Sequence, residues 1–288
     1  MSDQLIRFIT KDHQFRVLAA ETSALCEKLR SMHGTDPTAT VALSRVTTGA
    51  ALLGGLLKGG QRLALAIEGN GPLKKLHAET DARGNIRSSV KNPHANLPPR
   101  EDRYDVANAV GQAGFLSVIK DLGLKEPYRG SVQLQTSEIG DDIAYYLTTS
   151  EQVPSAVTLG VSLGSMAEVK TAGGILIQAL PGCSDEAIDQ IIHRLSEIPS
   201  LSATLQNGGS IEMLLDDLFD GIERSPAEKI ALNFRCNCTR EQVAEILKSI
   251  GRKELEELVS KEEEIEVTCE YCRQGYRFTP SDVAGMIG

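Results

Sequence analysis

Aromatic residues are scarce in this chain of 288 residues, which contains six Phe, six Tyr and no Trp. Any hydrophobic core must therefore be built mainly from Leu, Ile, Val and Ala. Long apolar runs are lacking too, since no uninterrupted stretch approaches the roughly 18 residues of a membrane-spanning helix. The N-terminal residues lack the apolar core of about 7–15 residues that marks a secretory signal. We therefore expect a cytoplasmic protein without membrane partners.

A surplus of basic residues is also absent, because 30 Lys and Arg face 39 Asp and Glu and give a net charge of −9. Non-specific binding to nucleic acid or to anionic membranes needs a basic surface, so both classes of partner are disfavoured. The hydrophobic content of 41% and the charged content of 24% are those of an ordinary soluble globular protein. The length allows two domains, each with its own core.

Six cysteines in a chain without an export signal indicate a reducing compartment, where thiols are more often metal ligands or redox sensors than cross-links. Two of the six are isolated. Cys26 lies in a predicted amphipathic helix, and Cys183 follows Pro181 and Gly182 at a predicted segment boundary. An isolated cysteine is usually a small buried apolar residue, so we assign no role to either of them.

The other four cysteines form two close pairs near the C-terminus, Cys236-Asn237-Cys238 and Cys269-Glu270-Tyr271-Cys272. Four paired thiols suit one tetrahedral Zn²⁺, which takes thiolate ligands at about 2.3 Å. The first pair has a single residue between its cysteines, fewer than in ordinary zinc knuckles. That tight spacing also suits a strained, easily reduced disulfide, so the same site is a candidate redox switch.

Metal binding and disulfide formation exclude each other at such a site. Tetrahedral ligands with bonds of about 2.3 Å lie about 3.8 Å apart, whereas the sulfurs of a disulfide are about 2.05 Å apart. Oxidation of either pair should therefore eject the metal. The C-terminal region from about Pro226 has few large apolar side chains, and its core is too small to make the fold stable without additional interactions. Zinc binding contributes roughly 10–16 kcal/mol in small zinc peptides, so this region should loosen without the metal.

Three functions are compatible with four paired cysteines. A zinc ribbon that binds nucleic acid is the general default for four paired cysteines. Residues 226–288 contain nine basic and twelve acidic side chains, however, and an acidic unit without a basic face binds phosphate groups poorly. A thiol–disulfide oxidoreductase needs its Cys-x-x-Cys motif at the start of a helix that follows a strand. The motif at Cys269–Cys272 follows a predicted strand, but the next residues resemble a turn and another strand. The third function is a redox sensor, because thiolates react with oxidants.

A hydrolase motif does not change this assessment. The segment from Gly160 to Gly164 matches the G-x-S-x-G nucleophile elbow, which requires Ser162 on a sharp turn between a strand and a helix. The surrounding pattern predicts a continuous strand instead. His193 is the one histidine after Ser162, and it lies in a predicted helix. We therefore expect no enzymatic activity from this motif.

Short strands with turn residues between them fill most of the first half of the chain. Leu5–Ile9 and Phe15–Ala19 predict a hairpin, and helices are predicted from Pro37 to Lys58 and from Ser137 to Thr149. Frequent strands with few helices predict an α+β domain with a largely antiparallel sheet.

Two amphipathic helices are predicted between this sheet domain and the cysteine pairs. Their apolar residues recur at helical spacing and face acidic residues on the opposite side. Such a stripe normally packs on a core, and it could become a binding surface if its cover were removable. The candidate stripe consists of Ile188, Ile191, Ile192 and Leu195 in the first helix and Ile211, Leu214, Leu215 and Leu218 in the second.

The cysteine motifs also carry a family resemblance. Phe234–Glu241, which contains the Cys-Asn-Cys motif, and the Cys-Glu-Tyr-Cys motif with Tyr276–Phe278 resemble the 33 kDa chaperonin family of bacterial redox-regulated heat-shock holdases. The combination of Cys-x-Cys and Cys-x-x-Cys is highly specific. Weaker likenesses to the family occur at Gly69–Leu73, Lys120–Gly123 and Ala172–Gln178.

The resemblance implies an ATP-independent chaperone, not an enzyme, that is inactive while reduced and zinc-bound. Cys236, Cys238, Cys269 and Cys272 would then be the ligands of one Zn²⁺. On oxidation, Cys236 would pair with Cys238, and Cys269 with Cys272. Members of the family then unfold their switch and linker, form homodimers and hold thermally or oxidatively unfolding client proteins, which prevents aggregation. The predicted helical stripe falls where that linker would lie and is the candidate client-binding face.

The predicted fold class is α+β, in three parts. An N-terminal domain with a mixed, largely antiparallel sheet and packed helices spans residues 1–182. An amphipathic helical linker spans residues 183–228. A small four-cysteine zinc-binding redox-switch domain spans residues 229–288. The thiol–disulfide oxidoreductase is the main alternative function, and a nucleic-acid-binding zinc ribbon is the weaker one.

Overall fold

Buried side chains alternate with more accessible ones in several strands of this protein, such as Arg62–Gly69 and Lys75–Asp81. The structure is a computed structural model that describes residues 2–100, 103–198, 201–261 and 263–287. It divides into two compact units, Met1–Phe234 and Arg235–Gly288. Among the described residues, no helix is both long and apolar enough to cross a bilayer. The predicted α+β class with antiparallel sheets is confirmed.

The larger unit contains eleven strands and seven helices within its described residues. The strands are β1 (Gln4–Ile9), β2 (Phe15–Glu21), β3 (Arg62–Gly69), β4 (Lys75–Asp81), β5 (Asn85–Val90), β6 (Gly114–Asp121), β7 (Tyr128–Gln133), β8 (Ser155–Leu163), β9 (Val169–Ala179), β10 (Glu228–Ala231) and β11 (Asn233–Phe234). The helices are α1 (Ser23–His33), α2 (Pro37–Gly54), α3 (Val106–Val110), α4 (Gly140–Thr149), α5 (Asp185–Glu197), α6 (Leu201–Gln206) and α7 (Ile211–Leu218).

These strands form two sheets. The first has five antiparallel strands in the order β10-β1-β2-β9-β8, and it contains the predicted hairpin of β1 and β2. The second has six strands in the order β11-β5-β4-β3-β6-β7. The pairing of β11 with β5 is parallel, unlike every other strand pair in the described ranges. Both β10 and β11 therefore lie at sheet edges of the larger unit.

The main core lies where α2 packs against strands of both sheets. Asp36 caps this helix, because its side chain accepts a hydrogen bond from the Ala39 N–H at 2.8 Å. Nearly every residue of α2 is buried. The helix ends at Gly54, four residues before its predicted end, because two consecutive glycines disfavour helix and the Leu57 N–H bonds to the Gly54 carbonyl at 3.0 Å in a tighter turn.

Strand β2 is buried on both faces, so its sequence shows no alternation of polar residues. Leu18 and Ala20 pack in the main core, whereas Val17 and Ala19 pack in a second apolar cluster on the opposite face of the first sheet. Three helices, α5, α6 and α7, contribute the other side of that second cluster. The first sheet is thus a layer between α2 and these three helices.

The smaller unit has its own, much smaller core. Its elements are α8 (Arg240–Lys248), α9 (Arg252–Ser260), β12 (Ile265–Thr268), β13 (Gly275–Phe278) and α10 (Pro280–Ile287). Thr239 caps α8, because its hydroxyl accepts a hydrogen bond from the Gln242 N–H at 3.3 Å, and Gly251 separates α8 from α9. Its fully packed apolar residues are Val243, Leu247, Leu255, Phe278 and Val283.

Candidate metal centre and linker surface

The structure brings the four paired cysteines together in the smaller unit. The sulfur atoms of Cys236, Cys238, Cys269 and Cys272 all lie within 4.8 Å of one another. The Sγ atoms of Cys236 and Cys269 are 3.8 Å apart, and those of Cys238 and Cys272 are 3.3 Å apart. Four thiolates around one tetrahedral ion would lie about 3.8 Å apart. The spacing therefore matches that of a single metal ion.

Local backbone structure positions each pair. Cys236 and Cys238 lie in the segment without regular secondary structure between β11 and the N-cap of α8. Cys269 and Cys272 lie in the turn between β12 and β13, where the Cys269 N–H donates to the Gln274 carbonyl at 2.9 Å. Arg273 has a positive φ of 58°, and its N–H donates to the Cys269 carbonyl at 3.0 Å, which closes the turn. The hairpin thus turns both sulfurs of the second pair toward the first.

The hydrogen bonds around the sulfurs are specific. The Tyr276 hydroxyl lies 3.0 Å from the Cys238 carbonyl oxygen and 3.2 Å from Cys238 Sγ. The contact with Cys238 raises the pKa of Tyr276 to about 12, so its hydroxyl keeps its proton at neutral pH. Burial raises the pKa of the Cys272 thiol to about 12, and neighbouring sulfurs add to the shift. A thiol of this kind gives up its proton readily only if a nearby cation compensates the thiolate charge.

The donor set defines what the site can hold. Among the described residues, the group that could hold a metal ion consists of these four cysteines, without a carboxylate or imidazole. Four thiolates at tetrahedral spacing favour a soft or borderline ion such as Zn²⁺ over Mg²⁺ or Ca²⁺, which take oxygen ligands. The residues present therefore fit a single thiolate-bound ion.

Two observations argue against the alternative enzymatic functions. Cys269–Cys272 lies in a hairpin turn and leads into β13, whereas an oxidoreductase motif opens a helix. Ser162 lies within β8 and its hydroxyl contacts the Thr171 hydroxyl at 2.7 Å, so it does not occupy a turn between a strand and a helix. This position agrees with the expectation that the G-x-S-x-G pattern does not form a nucleophile elbow.

The candidate stripe on the linker helices is mostly packed in the second apolar cluster, against the first sheet. Five of its members are buried: Ile191, Ile211, Leu214, Leu215 and Leu218. Ile188 and Leu195 are half-buried in the same cluster. Ile192 is 57% exposed and does not belong to the packed stripe. The reason is helical geometry, because one residue turns the helix by about 100° and carries Ile192 away from Ile191.

These helices cover an apolar face of the first sheet that the sequence analysis did not single out. Ile6, Phe8, Val17, Ile175 and Ile177 project from β1, β2 and β9 into the second cluster. Helix α6, which also packs there through Leu201 and Leu205, was not predicted. Its six residues are too short for a periodic pattern to be recognised, and a sheet face shared between distant strands leaves no local signal.

Polar contacts also fasten the linker helices. The buried side chain of Glu21 in β2 accepts the Ile211 N–H at 3.2 Å, at the start of α7. Arg194 in α5 donates to the carbonyls of Leu218 at 2.9 Å and Asp220 at 2.8 Å. These contacts tie α7 to the sheet and to α5.

The two isolated cysteines belong to the larger unit. Cys26 is buried in α1, and its thiol is 3.6 Å from the Thr22 hydroxyl oxygen. Burial raises the pKa of Cys26 to about 12. Cys183 is half-buried and packs against the second apolar cluster just before α5. Burial also raises the pKa of Cys183 above its ordinary value.

Comparison with known proteins assigns the chain to a family. The model of the Hsp33 protein family matches residues 3–279. The 33 kDa chaperonin of Syntrophotalea carbinolica is 49% identical over 287 residues, which cover 100% of both chains. That of Geobacter sulfurreducens is 48% identical over 283 residues, which cover 98% of this chain and 94% of the relative.

A solved structure agrees with the sequence matches. The crystal structure of the 33 kDa chaperonin (heat shock protein 33 homolog) from Thermotoga maritima has a TM-score of 0.92 and 32% sequence identity to this chain. The match covers 100% of this chain and 98% of that one. The resemblance inferred from the cysteine motifs is confirmed, and the chain belongs to the Hsp33 protein family.

Proposed function

We propose that this protein is a redox-regulated, ATP-independent chaperone that holds unfolding proteins after its four paired cysteines have been oxidised. The observation that carries the proposal is the gathering of Cys236, Cys238, Cys269 and Cys272 within 4.8 Å in a chain of the Hsp33 family. Relatives that match its full length are named 33 kDa chaperonins, which supports the chaperone activity. The protein would act stoichiometrically on client proteins and not as an enzyme.

In the reduced state the four thiolates would hold one Zn²⁺. When bound, the ion supplies four bonds that join the segment before α8 to the hairpin turn. Oxidation would pair Cys236 with Cys238 and Cys269 with Cys272, at about 2.05 Å between sulfurs. That distance is incompatible with the ligand spacing, so oxidised sulfurs no longer hold the ion.

The small core of the cysteine unit supports a coupling between oxidation and unfolding. Five apolar residues, from Val243 to Val283, are buried among its described residues. Metal binding contributes roughly 10–16 kcal/mol in small zinc domains, which exceeds what so small a core supplies. Loss of the ligands should therefore unfold this unit.

Chain continuity offers a route from the cysteines to the linker. Arg235 alone separates β11 from Cys236, and β10 and β11 are short edge strands. The residues of β10 are mostly exposed, so few apolar contacts hold this strand. Unfolding that starts at Cys236 would first detach these two strands and then loosen the chain that follows α7.

Release of the linker would expose apolar surface of the kind that binds unfolded chains. The candidate client-binding face is the linker stripe of Ile188, Ile191, Ile192, Leu195, Ile211, Leu214, Leu215 and Leu218, together with the sheet face that it covers. In this proposal residues 1–182 form the core domain, residues 183–228 the linker and residues 229–288 the switch. The active form would be a homodimer in the cytoplasm, without nucleic-acid or membrane partners.

The experiment compares the suppression of client aggregation by three preparations: reduced and zinc-loaded, oxidised by peroxide at raised temperature, and oxidised then reduced again with zinc. We expect suppression by the oxidised preparation alone, measured by light scattering of a thermally unfolding client. The matched control is the Cys26→Ala/Cys183→Ala double variant, which keeps the four paired cysteines and should switch normally. Equal suppression by reduced and oxidised protein contradicts the proposal. Catalytic turnover of a dithiol substrate would instead indicate a thiol–disulfide oxidoreductase.

A further inference from the structure

We propose that Tyr276 is a positioning residue for the cysteine site, whose hydroxyl hydrogen-bonds Cys238 Sγ, secures it as a ligand and lowers its reactivity toward oxidants. This inference rests on the proposed zinc site and redox function. It assigns to one hydroxyl group a share in setting the oxidant level at which the protein responds.

The Tyr276 ring lies beside the core of the smaller unit. Tyr276 and Phe278 lie two residues apart on β13, so their side chains share a face of the strand. Phe278 is fully buried in the core of the smaller unit, and the guanidinium of Arg240 lies 4.6 Å from its ring centroid. Tyr276 packs at the edge of the same core. Apolar packing therefore helps to hold the Tyr276 ring in place independently of its hydroxyl.

From this position the Tyr276 hydroxyl can donate a hydrogen bond to Cys238. The hydroxyl oxygen is 3.2 Å from Cys238 Sγ and 3.0 Å from the Cys238 carbonyl oxygen. A hydroxyl has one proton, and a negatively charged acceptor takes it more strongly than a neutral one. Once Cys238 is a thiolate ligand, its sulfur becomes the favoured acceptor. Tyr276 thus bridges the strand after the second cysteine pair to the first pair.

The hydrogen bond from Tyr276 should change the reactivity of the Cys238 sulfur. A donated hydrogen bond stabilises the negative charge of a thiolate and makes its lone pairs less available to an electrophile. Outer-shell hydrogen bonds also orient ligands, and their removal typically lowers metal affinity about 10–100-fold. Tyr276 should therefore both strengthen ion binding and slow the attack of Cys238 on peroxide.

Oxidation of one cysteine pair by hydrogen peroxide consumes two thiolates and two protons for each peroxide. A cysteine thiolate attacks one oxygen of hydrogen peroxide, which forms a sulfenic acid and releases hydroxide. The partner thiolate then attacks the sulfenic sulfur, which forms the disulfide and releases a second hydroxide. Two protons convert the hydroxides to water, so two thiolates, one peroxide and two protons give one disulfide and two waters.

The test is the Tyr276→Phe variant, which keeps the packed ring and removes the hydroxyl. We expect zinc affinity, measured in the reduced protein by competition with a chromophoric chelator, to fall about 10–100-fold. Peroxide-driven zinc release and alkylation mass spectrometry should show faster oxidation of Cys238. The matched control is Tyr145→Phe, which removes a hydroxyl from an exposed tyrosine on α4 of the larger unit and should change neither quantity.

A spectroscopic readout separates a hydrogen bond from mere packing. In the Co²⁺-loaded reduced protein, loss of a hydrogen bond to a thiolate should move the sulfur-to-cobalt charge-transfer band of Tyr276→Phe to lower energy. An unchanged band together with unchanged affinity and oxidation rate overturns the inference. A wild-type protein that binds no zinc contradicts the proposed function instead, so the two failures are distinguishable.

Discussion

The ring of Phe219 meets the ring of Phe8 edge to face, with centroids 5.5 Å apart and an interplanar angle of 87°. Phe8 belongs to β1, and Phe219 follows the last residue of α7. Both side chains are buried, and the guanidinium of Arg224 lies 5.2 Å from the Phe8 centroid. This pair joins the linker helices to the apolar face of the first sheet. It is a place where the linker can be loosened without altering a cysteine.

Replacement of Phe219 by Ala should therefore partly activate the protein without an oxidant. Truncation of a buried Phe typically costs about 3–5 kcal/mol, and here the loss falls on the packing of the linker. We expect the reduced, zinc-loaded Phe219→Ala variant to suppress client aggregation measurably and to bind more of a hydrophobic fluorescent dye than the wild type.

The control for this prediction is Phe115→Ala. Phe115 is 58% exposed on β6 of the second sheet, so its truncation should change neither aggregation suppression nor dye binding. The prediction is wrong if hydrogen exchange shows a loosened linker in Phe219→Ala while the reduced variant protects the client no better than wild type.

Removal of the metal should affect the two compact units differently. Among the described residues of the smaller unit, five buried apolar residues form the core, whereas the larger unit contains two extensive clusters. We expect a chelator to raise hydrogen exchange through the described residues of the smaller unit and to leave α2 and β2 protected. Hydrogen exchange measured by mass spectrometry on the reduced protein, before and after chelation, tests this. Unchanged protection after verified zinc removal would show that the ion does not stabilise this unit.

Local signals in the sequence were sufficient for much of the fold. The β1–β2 hairpin, the N-cap at Thr239 and the break at Gly251 each depend on residues within a few positions of one another. The pairings of β10 with β1 and of β11 with β5 were not predictable, because the paired residues are far apart in the sequence. Their four and two residues are also too short to show a period.

Some residues of the candidate site could be predicted from local sequence, and others could not. Cysteine spacing indicates which sulfurs can share an ion, because two short motifs limit the geometry. The family likeness of Tyr276–Phe278 does not indicate a contact of Tyr276 with the cysteines, since its partner Cys238 lies 38 residues earlier in the chain. The sheet face under the linker is also a property of several strands together. Residues that act through tertiary contacts were the ones that the sequence could not identify.

Cys26 should be chemically inert in the folded protein. Burial raises the pKa of its thiol to about 12, so almost none is thiolate at pH 8, and its side chain is inaccessible. Cys183 is half-buried and should react faster despite its raised pKa. Alkylation of the native zinc-loaded protein, followed by mass spectrometry, should label Cys183 well before Cys26. Equal labelling rates would show that the region around α1 opens more readily than its packing indicates.

The Glu27 carboxylate should make the larger unit more stable at neutral than at acid pH. It accepts two hydrogen bonds from Arg30, each at 2.8 Å, and one from the Val169 N–H at 2.7 Å, which joins α1 to β9. Arg30, as the foremost cause, lowers the pKa of Glu27 below its ordinary value of 4.5. A lowered folded-state pKa contributes stability that is present above pH 4.5 and lost as pH falls through the folded-state pKa.

Glu27→Gln should accordingly destabilise the full chain at pH 7, and the loss should be smaller at about pH 3, because protonation of the wild-type carboxyl weakens its interactions as pH falls. The loss at pH 7 should be at most about 1 kcal/mol, because the pair is partly solvated. Urea unfolding of the reduced chain, followed by circular dichroism at both pH values, measures the difference. The control Glu126→Gln alters an exposed carboxylate shortly before β7 and should show no such pH dependence. An equal loss at both pH values would mean that Glu27 stabilises the fold through packing and neutral hydrogen bonds, not through its charge.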